Sequence, residues 1–141
     1  KGDKPYWKQR EFKAALEFNP NIVVIKLGTN DTKPQNWKHG ADYLDDYKSM
    51  ISIFSNLTSK PKIYICLPVP VVESRWGITD DIVNEKIIPT LRKISNQTKC
   101  KIIDLNTPFN NKHNLIPDKV HPNAKGATII AKEVAKSILN S

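Results

Sequence analysis

Hydrophobic positions along the chain follow two rhythms. Phe12, Ala15, Leu16 and Phe18 recur at helical spacing. Asp3-Lys4-Pro5 ahead of them predicts a helix start, with Asp as cap and Pro in the first turn. Asn19-Pro20 ends that helix, because the residue before a proline avoids the α region. Ile22-Val23-Val24-Ile25-Lys26-Leu27 is β-branched and nearly all apolar. It predicts a strand buried on both faces that turns at Gly28-Thr29-Asn30-Asp31. Residues 32–40 are polar and predict a loop. Tyr43, Leu44, Tyr47, Met50, Ile51, Phe54 and Leu57 then trace one apolar stripe of a long helix.

The alternation repeats twice. Lys62-Ile63-Tyr64-Ile65-Cys66-Leu67 predicts a second strand, stopped by Pro68, and residues 68–80 form a loop. Ile82, Val83, Ile87, Ile88, Leu91 and Ile94 mark a helix whose internal Pro89 predicts a kink or two shorter pieces. Lys101 to Leu105 is a third strand, and residues 106–122 are a long loop. A last helix from near Asn123 carries Ala127, Ile130, Ala131, Val134 and Ile138 inward. A helix followed by repeated strand–helix units predicts an α/β fold, a parallel sheet with helices on both faces. In such sheets the chemistry lies beyond the carboxyl ends of the strands. Segments 28–31, 68–76 and 106–122 fall there.

Composition narrows this picture. A length of 141 residues suits one domain over residues 1–141. Twenty-two Lys and Arg against 14 Asp and Glu leave a net charge of +8. The lysines are scattered, so the charge describes a solvated surface. No basic stripe interleaved with aromatics marks a nucleic-acid partner. No apolar run approaches the roughly 18–20 residues needed to span a bilayer, and no membrane role is expected. The chain opens without a charged-then-apolar leader, so an export signal is absent or already removed. Cys66 ends one strand and Cys100 begins the next, near opposite edges of a parallel sheet. Both are expected as mostly buried free thiols; a disulfide between them would contradict the strand register.

Two polar constellations carry candidate chemistry. Asn30 follows the first strand, and a carboxamide at a carboxyl edge can donate to a developing oxyanion. Taken alone, Gly-Thr-Asn-Asp equally makes an Asn-Asp turn whose side chains bond the local backbone, and the turn is favoured. Asp118-Lys119-Val120-His121 lies just before the last helix, with Pro122 suited to that helix's first turn. An Asp three residues ahead can accept the imidazole Nδ1–H and leave Nε2 as a general base. Taken alone, a loop ion pair explains the same residues.

The remaining polar groups are less telling. His39, His113 and His121 have no ligand-like spacing, so neither a metal nor another cofactor is expected. Asp45-Asp46 faces solvent, and Asp80-Asp81 suits a helix start. Trp7 and Trp37 suit packing, while Trp76 beside Arg75 is placed for substrate contact. The loop after the first strand is not glycine-rich, which argues against a phosphate or nucleotide binder.

Together the two constellations resemble two sequence blocks of the SGNH (GDSL-type) hydrolases. Leu115-Ile-Pro-Asp-Lys-Val-His-Pro-Asn-Ala-Lys-Gly126 looks like that family's final block. Phe18-Asn-Pro-Asn-Ile-Val-Val-Ile-Lys-Leu-Gly-Thr-Asn-Asp31 looks like its third block with the preceding strand. Tyr6-Trp7, Asn36-Trp37 and Trp76-Gly77 further resemble members that act as sialate or carbohydrate O-acetylesterases. The resemblance implies a three-layer α/β/α, flavodoxin-like fold with the family's first strand beside its third. It implies Asn30 as an oxyanion-hole donor, His121 as the base that activates a serine, and Asp118 as its orienter. Gly28, Arg75 and Trp76 fall on the substrate side. The implied reaction is hydrolysis of an ester, an acetyl group on a sugar hydroxyl, through an acyl-enzyme.

The chain departs from the family at its start. The family's N-terminal Gly-Asp-Ser block and its second, glycine-bearing block are absent. Gly2-Asp3-Lys4 has the wrong third residue. Ser49, Ser52 and Ser55 fall on a helix, and Ser74 lacks a strand–turn–helix elbow. The expectation is therefore the C-terminal two-thirds of a hydrolase whose serine lies in a preceding segment. That segment, or another copy of the chain, would cover the apolar edge at Ile22–Leu27. Secretion or a periplasmic location is favoured by analogy with exported sugar esterases. The alternative is an inactive remnant that binds carbohydrate or a protein.

Overall fold

The backbone enters regular structure later than the sequence suggests. In the computed structural model, which describes residues 2–140, Pro5 leads only a 3-10 turn at Tyr6–Lys8. Helix α1 spans Arg10–Phe18 and stops at Asn19 in the left-handed region (φ 50°). The expected helix start at Asp3 is thus displaced, because Asp3 instead donates its N–H to Asn36 Oδ1 at 2.9 Å. Strand β1 is Ile22–Ile25. The expected loop at 32–40 is largely helical: a 3-10 turn at Thr29–Thr32, a single turn α2 at Pro34–Trp37, and a 3-10 turn at Gly40–Asp42. Pro34 at the first position of α2 supplies the preset φ that starts it.

Helix α3 spans Tyr43–Ser55 and buries Tyr43, Tyr47, Met50, Ile51 and Phe54 of the stripe read from the periodicity; Leu44 is half-buried, and Leu57 lies past the helix end, half-buried against the same core. Strand β2 is Lys62–Leu67. A short turn α4 at Asp80–Ile82 widens into a π turn at Val83–Ile87 before α5, Ile88–Thr98. Pro89 has no N–H to donate and its ring would strike the preceding turn, so the widened turn takes the place of the expected kink. Strand β3 is Lys101–Asp104, and α6 spans Ala124–Leu139. No helix among the described residues is long and apolar enough to cross a membrane.

The three strands are parallel in the order β1-β2-β3, with Val23 opposite Ile63 and Cys66 opposite Ile103. One sheet face, with Val23, Ile25, Ile65 and Leu67, packs against α1, α3 and α5 through Phe12, Phe54, Leu91 and Ile94. The other, with Tyr64, Cys66 and Ile103, packs against α6 through Ile129, Ile130, Val134 and Ile138. This is the expected three-layer α/β/α arrangement. Ile65, Leu67, Leu91 and Ile94 are fully enclosed, and each such side chain contributes about 1.5–3 kcal/mol by leaving water. Ala127 and Ala131, expected inward on α6, face solvent, and Ile129 takes the inward place.

The first strand departs from expectation in one respect. Only its Val23–Ile25 face is buried; Ile22 and Val24 remain 42% and 37% exposed. The reason is local: α6 covers β2 and β3 on that side, and no described element reaches β1. An apolar groove runs along this edge between Phe18, Ile22, Val24 and Leu27. The tyrosines of α3 brace the strand from the buried face: Tyr47 Oη donates to Ile25 O and Tyr43 Oη to Leu27 O, both at 3.3 Å.

Cys66 is buried and Cys100 half-buried, both free thiols as the register required. Burial pushes the Cys66 thiol up to about 11. Alkylation of the folded protein near neutral pH will therefore modify Cys100 well before Cys66, measurable by peptide mass mapping. Gly28 has φ 132°, and a Cβ there would lie 2.6 Å from Tyr43 Oη and 2.9 Å from Ile87 Cγ2. Gly28→Ala will lower stability by about 2 kcal/mol or more in urea titration.

Candidate active site

All three strands run the same way, so the segments after Ile25, Leu67 and Asp104 emerge at one edge. The last of these holds the tightest polar arrangement among the described residues. Lys119 adopts a left-handed conformation (φ 75°), which folds the loop back over Asp118. Asp118 Oδ1 then accepts the backbone N–H of Val120 at 3.0 Å and of His121 at 2.6 Å. Its Oδ2 lies 2.8 Å from His121 Nδ1. Those backbone donors, together with the imidazole, hold the Asp118 carboxyl down to about 2. An ionised carboxylate only accepts, so the shared proton belongs to Nδ1, which in the neutral ring leaves the lone pair on Nε2. The His121 side chain is 66% exposed, and Asn123 caps the following helix by accepting Gly126 N–H at 3.0 Å. Pro122 therefore precedes the cap and does not enter the helix, contrary to expectation.

Asn30 is placed by the turn after β1. Gly28 O accepts Asp31 N–H at 3.1 Å, and Thr32 Oγ1 donates to Thr29 O at 2.9 Å. Thr32, fully buried, closes the turn that Asn30 or Asp31 would close in a simple Asn-Asp turn. The Asn30 carboxamide makes no hydrogen bond among the described residues, whereas its backbone carbonyl accepts Asn36 Nδ2 at 2.9 Å. Asn36 thus ties Asn30 to the 2–5 segment. The sequence offered only the pair Asn36-Trp37 as a signal for it.

Asn30 lines a cavity of about 350 Å³ walled by Trp7, Trp37 and Tyr43, with Asp31 and His39 on its rim. Burial raises the Asp31 carboxyl above its ordinary range. His121 is not among the residues lining that cavity. The two constellations share the carboxyl edge but not an enclosed pocket. The turn Arg75–Ile78 lies against the His121 side, and Thr79 just beyond it donates its N–H to Thr32 Oγ1 in the Asn30 turn at 3.3 Å. The Trp76 ring packs against the His121 ring in a tilted pair, 5.8 Å between centroids and 39° between planes, and the Arg75 guanidinium lies 4.5 Å over the Trp76 ring. Arg75 Nη1 also donates to Asp118 O at 3.2 Å. Trp76 and Arg75, expected on the substrate side, are therefore against the imidazole. Gly28 is buried beneath Tyr43 and Ile87, where its backbone makes the turn that presents Asn30.

Comparison with known proteins gives the family. A model of the GDSL-like lipase/acylhydrolase family matches residues 2–129, and the chain belongs to that family. It is 35% identical over 156 aligned positions to an acetylxylan esterase of Xylanibacter ruminicola, covering 98% of this chain and 32% of that protein. The chain thus spans about a third of that relative's length. Among solved structures, the acetyl xylan esterase AlAXEase superposes with a TM-score of 0.75 at 22% identity, covering 94% of this chain and 74% of that one. The acetylxylan esterase Axe2 of Geobacillus stearothermophilus gives 0.73 at 19% identity, over 94% of this chain and 65% of that one. A GDSL-like lipase of Bacteroides thetaiotaomicron gives 0.74 at 21%, over 92% and 68%. At these identities the superpositions establish the shared fold.

The lowered Asp118 carboxyl makes a direct prediction. A carboxylate held below its unfolded value near 3.8 contributes stability that is complete above that pH and is lost as pH falls through about 2. Carbon-13 NMR of the Asp118 carboxyl will show a midpoint near 2 in the folded chain.

Proposed function

We propose that this chain carries the base, its orienter and one oxyanion donor of a serine esterase that removes acetyl groups from carbohydrate. The observation that carries the reading is the 2.8 Å contact between Asp118 Oδ2 and His121 Nδ1, on a His121 side chain that is largely exposed. No described serine is hydrogen-bonded to His121. Ser49, Ser52 and Ser55 lie on the exposed side of α3, and Ser74 lies in an exposed loop. The nucleophile in this reading arrives on a preceding segment whose strand pairs with the open edge of β1. The exposed Ile22 and Val24 give such a segment an apolar face to cover.

In this mechanism Nε2 of His121 takes the proton of the serine hydroxyl as its oxygen attacks the acetyl carbonyl. The carbonyl oxygen becomes an oxyanion and receives an N–H of Asn30, whose carboxamide is otherwise unengaged. The imidazolium, held by Asp118, returns its proton to the departing sugar hydroxyl. A water then repeats the sequence on the acyl-enzyme, with His121 again as base, and acetate leaves. Arg75 and Trp76 border the imidazole and contact the sugar. Gly28, buried beneath Tyr43 and Ile87, makes the turn that presents Asn30 and does not itself meet the sugar. The sialate-type motif resemblance and the acetylxylan esterase relatives agree on one substrate chemistry, an acetyl ester on a sugar hydroxyl.

A form of the protein that includes the serine-bearing segment will release acetate from acetylated xylo-oligosaccharides. His121→Ala in that form will lower kcat by about 10⁴-fold, and Asn30→Ala by about 10²–10³-fold. The 141-residue chain by itself will release none above background. Undiminished turnover in His121→Ala overturns the assignment. A second reading, an inactive remnant that binds carbohydrate or a protein, predicts tight glycan binding by the 141-residue chain without turnover in any form.

A further inference from the structure

The turn beside His121 contains a residue that the fold itself does not explain. Arg75 and Ile78 exchange both backbone hydrogen bonds, at 3.1 and 2.8 Å, around Trp76 and Gly77. Both central residues have positive φ, 53° and 78°, as a type I′ turn requires. Glycine, asparagine or aspartate suits the first of these positions; a tryptophan there strains its backbone. The strain gains little burial, because Trp76 remains 55% exposed. What the position does provide is the tilted ring contact with His121. Backbone strain of this kind persists where surrounding contacts enforce it, and it clusters at functional sites.

The contacts on either side of the turn reach both constellations. Toward His121, Val72 N–H donates to Lys119 O at 2.9 Å, Arg75 donates to Asp118 O at 3.2 Å, and Glu73 pairs with Lys119 at 3.8 Å. Ile78 and Val71 pack with Val120 and Val83 in a small buried cluster. Toward Asn30, Thr79 N–H donates to Thr32 Oγ1 at 3.3 Å, the hydroxyl that closes the Asn30 turn. A Cβ on Gly77 would lie 3.0 Å from Pro34 Cδ.

We propose that residues 72–79 act as a positioning strap, which fixes the His121 imidazole relative to the Asn30 turn, with Trp76 as its contact on the ring. Its catalytic consequence rests on the esterase reading; its structural content does not. The strap restrains the imidazole by the tilted indole contact on one side and by the Asp118 carboxylate at Nδ1. Its far end is anchored by Thr32 and Pro34, so a disturbance at Gly77 travels to His121.

Nitrogen-15 NMR of His121 in the 141-residue chain reads the imidazole tautomer and the exchange of the Nδ1 proton with water, without any hydrolysis. The strap predicts that Gly77→Ala and Trp76→Leu each speed that exchange about tenfold and average the two tautomer signals. Trp76→Phe, which keeps a ring on the imidazole, restores the parent spectrum. An unchanged spectrum in Trp76→Leu overturns the strap. So does a disturbed one in Trp76→Phe, or a Trp76→Leu effect that Gly77→Ala does not share. Should Gly77→Ala fail to fold, Thr32→Val removes the far anchor and reads the same coupling. In a serine-bearing form, Trp76→Leu will lower kcat about tenfold, in addition to whatever its lost sugar contact adds to KM. A raised KM with kcat retained would make Trp76 a sugar contact only and overturn the positioning role. Because the NMR readout needs no turnover, failure of the strap and failure of the esterase reading are separate results.

Discussion

Both oxygens of Asp118 are committed within its own loop, and the site depends on that commitment. One oxygen gathers the N–H groups of Val120 and His121, and the other meets Nδ1 of the same histidine. Three donors on one carboxylate keep it ionised far into acid. An ionised acceptor in turn fixes which nitrogen of the ring carries the proton. The left-handed Lys119 makes this closure possible by reversing the chain between the two side chains. A base of defined tautomer thus comes from a four-residue segment, and the rest of the fold has only to aim it.

The aiming is a property of the parallel sheet. Strands in one direction deliver Asn30, the Arg75–Ile78 turn and His121 to one edge from three separate loops. Aligned strands alone leave those loops independent. The hydrogen bonds of Val72, Arg75 and Thr79 to the neighbouring loops couple them. The edge strand β1 is the least satisfied part of this frame. Its Val23–Ile25 face is buried, while Ile22 and Val24 are open to solvent. An apolar strand exposed in this way is suited to pairing with a further strand.

Much of the fold was legible because its signals are periodic. The α3 stripe and the β2 run appear in the structure where the pattern put them, and the register kept Cys66 and Cys100 apart. The misreadings share a cause: burial is decided by neighbours, and a single strand or helix does not announce them. Ile22 and Val24 carry a two-faced apolar signal, yet only one face is covered. Ala127 and Ala131 fit a helical stripe, but Ile129 and Ile130 bury more surface and turn α6 accordingly. Asp118 and His121 were legible from their three-residue spacing, since that contact is local. The unengaged Asn30 carboxamide was not, because it depends on Thr32 closing the turn instead. Arg75 and Trp76 were legible only as substrate-side residues; their contacts with Asp118 and His121, and the tie from Asn36 to Asn30, were not, since those arise from the folded arrangement of loops.

The central claim is that Asn30 and His121 serve one reacting carbonyl from two different loops. A crystal structure of a serine-bearing form, trapped with a phosphonate or boronate that mimics the tetrahedral intermediate, tests it most directly. The account predicts the oxyanion oxygen within hydrogen-bonding distance of Asn30 Nδ2 and the serine Oγ within hydrogen-bonding distance of His121 Nε2. An adduct whose oxyanion is held by other groups, with the Asn30 carboxamide turned away, would contradict it.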